Sequence, residues 1–210
     1  MSQRKKIFSL ILFCSLICPV NANEGSKSSG VKLERHFVFD TVPLNLEEIT
    51  SASDRIFTGT CTNVEEIEED LESKLPVFKY TFKITESIKG LEGKGVTFKQ
   101  WKPTTKDAGY EIGKKYILFL YPNSERGLTS PVGFLQGQFE VEKKGLIRRK
   151  EVVRNKTSNR GLNRNLRTQK KVIIEDAYLN DYVENCSELG IPMRYQEFVK
   201  AVKYLVKRDK

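Results

Sequence analysis

Histidine is almost absent from this chain: His36 is the only one in 210 residues. Any Ser-His or Cys-His nucleophile pair would have to use it, and it stands between Arg35 and Phe37, ahead of the strand patterns described below. Cysteine is also scarce, four in all, with Cys14 and Cys18 inside the apolar N-terminal run. The other two, Cys61 and Cys186, cannot with one histidine supply the four ligands of a structural zinc site. No GxSxG, HExxH or phosphate-cradling glycine loop occurs. Asp107, Glu111 and Arg126 are scattered through loop sequence without the convergence a metal-dependent nuclease needs. The acidic cluster near residue 65 lacks the alternating ligands and turn glycine of a calcium loop. The sequence therefore predicts no catalytic residue, no metal site and no cofactor.

Long apolar runs are missing after residue 20. Before it, Arg4, Lys5 and Lys6 precede the apolar stretch Ile7 to Val20, and Val20-Asn21-Ala22 offers small residues at positions −3 and −1 of a cleavage site. Residues 1–22 read as a secretory signal peptide, too short to span a bilayer comfortably. Ile17 and Phe13, in front of the two early cysteines, are too large for a lipoprotein site. The expected location is periplasmic or extracellular, without a transmembrane span. In that oxidising setting Cys61 and Cys186 are expected to form a disulfide. Its loop of over a hundred residues would make it worth at most about 4–5 kcal/mol.

What is present is β pattern. In "FKYTFKITESIKG", Phe78, Tyr80, Phe82 and Ile84 fall on one parity, and Lys79, Thr81, Lys83 and Thr85 on the other. A period of two predicts a half-buried strand. Further strands are expected at Ile56 to Val64, Val96 to Trp101, Tyr116 to Tyr121, Leu135 to Val141 and Leu146 to Val153, the last two joined tightly at Lys144-Gly145. "YILFLY", Tyr116 to Tyr121, is apolar on both parities and must be covered on both faces. Gly133 and Gly137 mark a place where a strand would coil sharply, and Trp101 is expected to plug one end of the strand assembly. Asn45 and Glu48 have the spacing of a capping box, opening a short helix through Leu46, Ile49 and Ala52. Tyr195, Phe198, Val199, Val202, Leu205 and Val206 recur at three and four, the stripe of an amphipathic helix, with Pro192 just ahead of it.

The fold class predicted is mainly β: a small OB-like barrel of five to six strands with a short N-terminal helix and a C-terminal amphipathic helix. Residues 23–40 form a leader with an extended piece at Phe37 and Phe39, 41–153 the barrel, 154–171 a basic polar loop, and 172–210 a helical segment packed on the barrel. The order "SDRIFTGTCTNVEEI", "YTFKITESIKG", "GVTFKQW", "IGKKYILFLYP" and "PVGFLQGQFEV" resembles exported bacterial proteins with an OB-fold-like barrel. It is similar in architecture to the netrin-like barrel of the tissue inhibitors of metalloproteinases. That resemblance implies a binding module, with a secreted protease as one kind of partner. Those inhibitors insert an amino-terminal cysteine into the protease zinc site, and a chain starting near Asn23 has no such cysteine, so their mechanism does not transfer.

Charge is distributed unevenly. The net charge is +9 overall, yet Lys143 to Lys171 holds twelve Lys/Arg against the single acid Glu151. "EEIEED", Glu65 to Asp70, is the opposite pole. Such asymmetry points to an anionic glycan or lipid surface, met by Lys143, Lys144, Arg148, Arg149, Lys150, Arg154, Arg160, Arg164, Arg167, Lys170 and Lys171. The competing reading is a solvated loop whose charge maintains solubility. The segment lacks aromatics to stack on bases, so sequence-specific nucleic-acid recognition is not expected. The leading expectation is an exported, non-enzymatic binding protein with an unidentified secreted or envelope partner. An anion-binding module comes second, and a secreted hydrolase without familiar motifs third.

Overall fold

The structure, a computed structural model, describes residues 42–69, 74–103, 109–146 and 149–209. The expected signal peptide, the leader and Arg148 lie outside the described residues. The chain from Leu46 onward runs α1 (Leu46–Ala52), β1 (Arg55–Glu69), β2 (Pro76–Lys89), β3 (Gly95–Trp101), β4 (Lys115–Leu120), β5 (Gln138–Lys144), β6 (Lys150–Asn155), α2 (Ala177–Leu189), β7 (Met193–Arg194) and α3 (Tyr195–Arg208). The capping box at α1 is formed in full: Glu48 N donates to Asn45 Oδ1 at 2.9 Å, and Asn45 N donates to Glu48 Oε2 at 2.8 Å.

The seven strands pair antiparallel as one sheet, in the order β3-β2-β1-β4-β5-β6-β7. The ladder leaves this sheet open, with β3 and β7 at its edges. Ladder closure fails for a physical reason. The far edge of β4 pairs with β5, which carries the sheet on to β6 and β7, away from β3. Among the described residues, 128–132 reach across: Thr129 N donates to Lys99 O, and Tyr121 N to Ser130 O. The Lys99–Leu128 bridge is parallel.

β4 is buried on both faces, as its two-parity apolar pattern requires. Ile117 and Phe119 point into a core shared with Ile56, Phe139, Val153 and the helix residues Phe198, Val202 and Leu205. The Phe139 and Phe198 rings meet at 4.7 Å between centroids. Tyr116, Leu118 and Leu120 point the other way, into an aromatic core with Phe57, Tyr80, Phe82, Phe98 and Tyr110. Tyr110 closes that core from a loop, with its ring 4.7 Å from Tyr80 and 5.3 Å from Phe82 in edge-to-face contacts. Its burial drives the Tyr110 phenol well above its ordinary pKa, and burial pushes Tyr80 and Tyr116 up to about 12.

Several expectations are corrected. Cys61 and Cys186 are both free and buried, Cys61 in the aromatic core and Cys186 in the helix-covered core. Each thiol is packed in its own apolar cluster, and no disulfide joins them. Burial raises the pKa of both, which leaves them poor nucleophiles. Trp101 does not plug the aromatic core; it alternates outward on β3 and is 47 % exposed. Leu135 is not in a strand, because Phe134–Gln136 is a single 3-10 turn. Gly137 is there because a Cβ would lie 2.5 Å from the Val132 carbonyl. The β5–β6 connection is longer than the tight turn expected, since Lys144 pairs with Lys150.

Candidate functional site

The residues proposed from charge do not gather in one place. The structure divides them into a hairpin tip, a cleft and an anchored loop. Lys143 and Lys144 end β5 and Lys150 opens β6, all exposed, with Arg149 exposed beside them. Leu146 sits in the connection, wholly exposed at 102 %. Glu142 pairs with Lys144 at 3.2 Å, whereas Glu151 turns to Lys115 on β4 at 3.0 Å.

Arg154 faces a cleft of about 280 Å³ lined by Tyr116, Gln138, Glu140, Glu142, Arg154, Asn155, Lys156 and Ser158. β5 and β6 build it by parity: Gln138, Glu140 and Glu142 alternate on one face of β5, and Arg154 is registered opposite Glu140. Lys114 reaches Glu140 at 3.1 Å and Glu111 at 2.8 Å. Those two acids raise the pKa of Lys114 and keep it charged. Acids and bases alternate around the cleft, so neither cation nor anion would find a site of one sign.

The rest of the basic segment is held by its asparagines. Asn159 is completely buried; its Nδ2 donates to Val153 O (3.0 Å) and Ile191 O (3.1 Å), and its Oδ1 accepts from Asn155 N (2.9 Å). Asn155 Oδ1 accepts from Asn159 N in return, at 2.7 Å. Asn165, 2 % exposed, donates to Pro43 O and Glu48 Oε2, each at 2.7 Å, and accepts from Arg167 N and Thr168 N. The backbone joins in: Leu46 N donates to Leu162 O, and Val172 N to Asn163 O. This loop is a structural strap across α1, α2 and the α2–β7 connection. Two of its cations are taken up by acids on those helices, Lys170 by Glu47 at 3.4 Å and Lys171 by Glu184 at 2.8 Å. Arg160 packs against Gly190 at the C-terminus of α2, and Arg164 bridges to Lys171 through the backbone. The strap was invisible to charge counting; the asparagines at 155, 159 and 165 were the available signal, since such side chains donate and accept at once, while Asn163 takes part through its backbone N–H and carbonyl.

At the start of the acidic pole Glu65 pairs with Lys79 at 2.6 Å and Glu66 lies 3.6 Å from Lys102; Asp70 is outside the described residues. Next to these pairs lies an apolar patch that sequence reasoning did not assemble. Trp101 stands opposite Val77 in the β2–β3 ladder. Leu75 is 47 % exposed; half-buried Phe78, registered opposite Gln100, belongs to the other face of the ladder, where it stacks on Tyr80 with the Lys102 ammonium 5.6 Å from its ring centre. The patch lies at the end of the strand order, where β3 pairs with β2 on one side and is bridged at Lys99 by Leu128 on the other.

A second polar cluster ties α3 to the sheet. The Tyr195 hydroxyl donates to Glu86 Oε2 at 2.8 Å, Lys203 Nζ lies 2.6 Å from Glu86 Oε1, and Lys115 stands 4.4 Å from the Tyr195 ring centre. Burial alone would raise the Glu86 carboxyl; Lys203 and Tyr195 outweigh it and hold it below its ordinary 4.5. All its members are mutually engaged, so the cluster serves as a lock rather than a site. Among the described residues there is no group of three or more His, Cys, Asp and Glu side chains placed to hold a metal. No described helix is long and apolar enough to cross a membrane. Comparison with protein-family models and with curated proteins finds no match for this chain.

Proposed function

We propose that this chain is an exported binding protein that acts by contact rather than catalysis, engaging a protein partner at the β3 edge. The observation carrying this reading is the half-exposed Trp101 on β3, whose ladder partner Val77 stands two residues from exposed Leu75. Tryptophan surrounded by apolar surface and flanking charge is the composition of an interface hot spot.

The proposal includes an OB-like, netrin-like ancestry for the aromatic-core half. It is supported by β1 lying between β2 and β4, and by the parallel Lys99–Leu128 bridge from the 128–132 strap. A secreted protease is the partner class that architecture suggests, by analogy alone. Export is supported by the basic-apolar-small pattern of residues 1–22. Mass spectrometry of the exported product should find a start near Asn23, and an uncleaved cytoplasmic product would end that part.

The binding reading is tested by placing a photo-crosslinking residue at Trp101 and, as a control, at exposed Lys200 on α3. A discrete adduct with one protein at position 101 only, lost when Leu75 becomes Asp, is expected. Identical adduct patterns at both positions would overturn it.

A further inference from the structure

The hairpin tip combines two features that seldom coincide without reason. Its apolar residue, Leu146, touches solvent with its whole side chain. A leucine placed this way contributes nothing to either core and carries the hydration cost of its apolar surface. Around it stand the exposed cations Lys143, Lys144, Arg149 and Lys150, delivered to one end by the antiparallel register that sets Lys144 against Lys150 and Lys143 against Glu151. Their local counter-charge is small. Glu142 takes Lys144, but Glu151 is drawn to Lys115 on the neighbouring strand, away from the tip.

We infer that this tip docks on an anionic lipid surface, with Leu146 entering the headgroup region and the four cations lying at phosphate level. A dissolved polyanion would use the cations and leave the leucine in water. A bilayer uses both, because apolar burial and electrostatic attraction add at its interface. The strap at 156–171 does not take part: its backbone and its asparagines are committed to β6, to the start of α1, to α2 and to the α2–β7 connection. This goes beyond the protein-binding reading, whose patch lies on β3 and β2 instead.

The test is sedimentation of the full exported protein with vesicles of phosphatidylcholine alone or with about a third phosphatidylglycerol, across a salt series. Binding to the anionic vesicles only, weakening as salt screens the cations, is expected. Replacing Lys144, Arg149 and Lys150 with Ser should reduce it by about a hundredfold, at about fivefold per cation. Leu146→Ser should cost about tenfold on vesicles while leaving retention on heparin unchanged. Leu146→Trp should show a blue-shifted emission when vesicles are added. Arg160→Ser with Arg167→Ser, in the strap, should bind as the parent does. The altered tip side chains are exposed, and matching urea midpoints will confirm that each variant folds. Absence of binding to anionic vesicles would overturn the inference. So would unchanged vesicle binding by Leu146→Ser with no emission shift at Leu146→Trp, which would mark the tip as a carrier of charge alone.

Discussion

The tip at 143–150 and the strap at 156–171 look alike as sequence, both polar and rich in Lys and Arg, yet the folded chain treats them as opposites. In the tip Lys143, Lys144, Arg149 and Lys150 are exposed, and Leu146 is exposed with them. In the strap Leu162, Asn159, Asn163 and Asn165 are buried, and charged side chains lie along the outside. The difference comes from asparagine. A lysine can only donate, so it turns to water or an acid; a buried asparagine can close a loop by bonding the backbone on both sides. Net charge located both regions correctly and said nothing about which of them is free to bind.

The comparison can be broken most forcefully at Asn159. Replacing it with Ala removes two donated bonds and leaves the Asn155 N–H without its acceptor in a buried setting. A loss of about 2–4 kcal/mol in urea unfolding is expected. A change within about 0.5 kcal/mol, the range of ordinary surface substitutions, would mean that the strap is not anchored as described.

A smaller effect should come from acid. The chain just beyond the strap, and α1 beneath it, are held by α3, whose Arg208 donates to Ile173 O at 3.0 Å and pairs with Glu47 at 3.0 Å. The Glu86 lock holds α3 from the other side. Because the folded Glu86 carboxyl is held below 4.5, its contribution is present above that pH and lost as pH falls through the lower folded value. Glu86→Gln should cost about 1 kcal/mol at neutral pH and flatten this part of the acid limb. An unaltered pH profile of the thermal midpoint would reject the lock.

The smallest effect is expected at the tip. Ser in place of Lys144, Arg149 and Lys150 should shift stability by no more than about 0.5 kcal/mol. A large loss there would erase the contrast with the strap.

The strands were legible because alternation reports a half-buried sheet directly, and the two-parity run of β4 reports its double burial. The capping box of α1 and the stripe of α3 were equally plain, since each depends on local spacing. Sheet closure was not legible: it depends on which edge of β4 takes β5, a non-local choice that strand count leaves open. α2 went unread because its buried set, Leu179, Val183 and Cys186, makes a short stripe among acids and asparagines. The two cysteines read as a pair because sequence records number but not which core each one joins. The Trp101 patch was missed in the same way, since Leu75 and Trp101 come near one another only once β2 and β3 pair.

Amide hydrogen exchange at neutral pH, read at single residues, tests the division of the basic run most directly. Asn159, Asn165 and Val172 each donate a backbone N–H within the strap, at 2.7, 2.9 and 2.7 Å. Their amides should exchange orders of magnitude more slowly than the exposed Leu146 amide, which should exchange close to the rate of an unstructured peptide. Equal, fast exchange at all four would contradict the account and return the whole segment to a solvated loop.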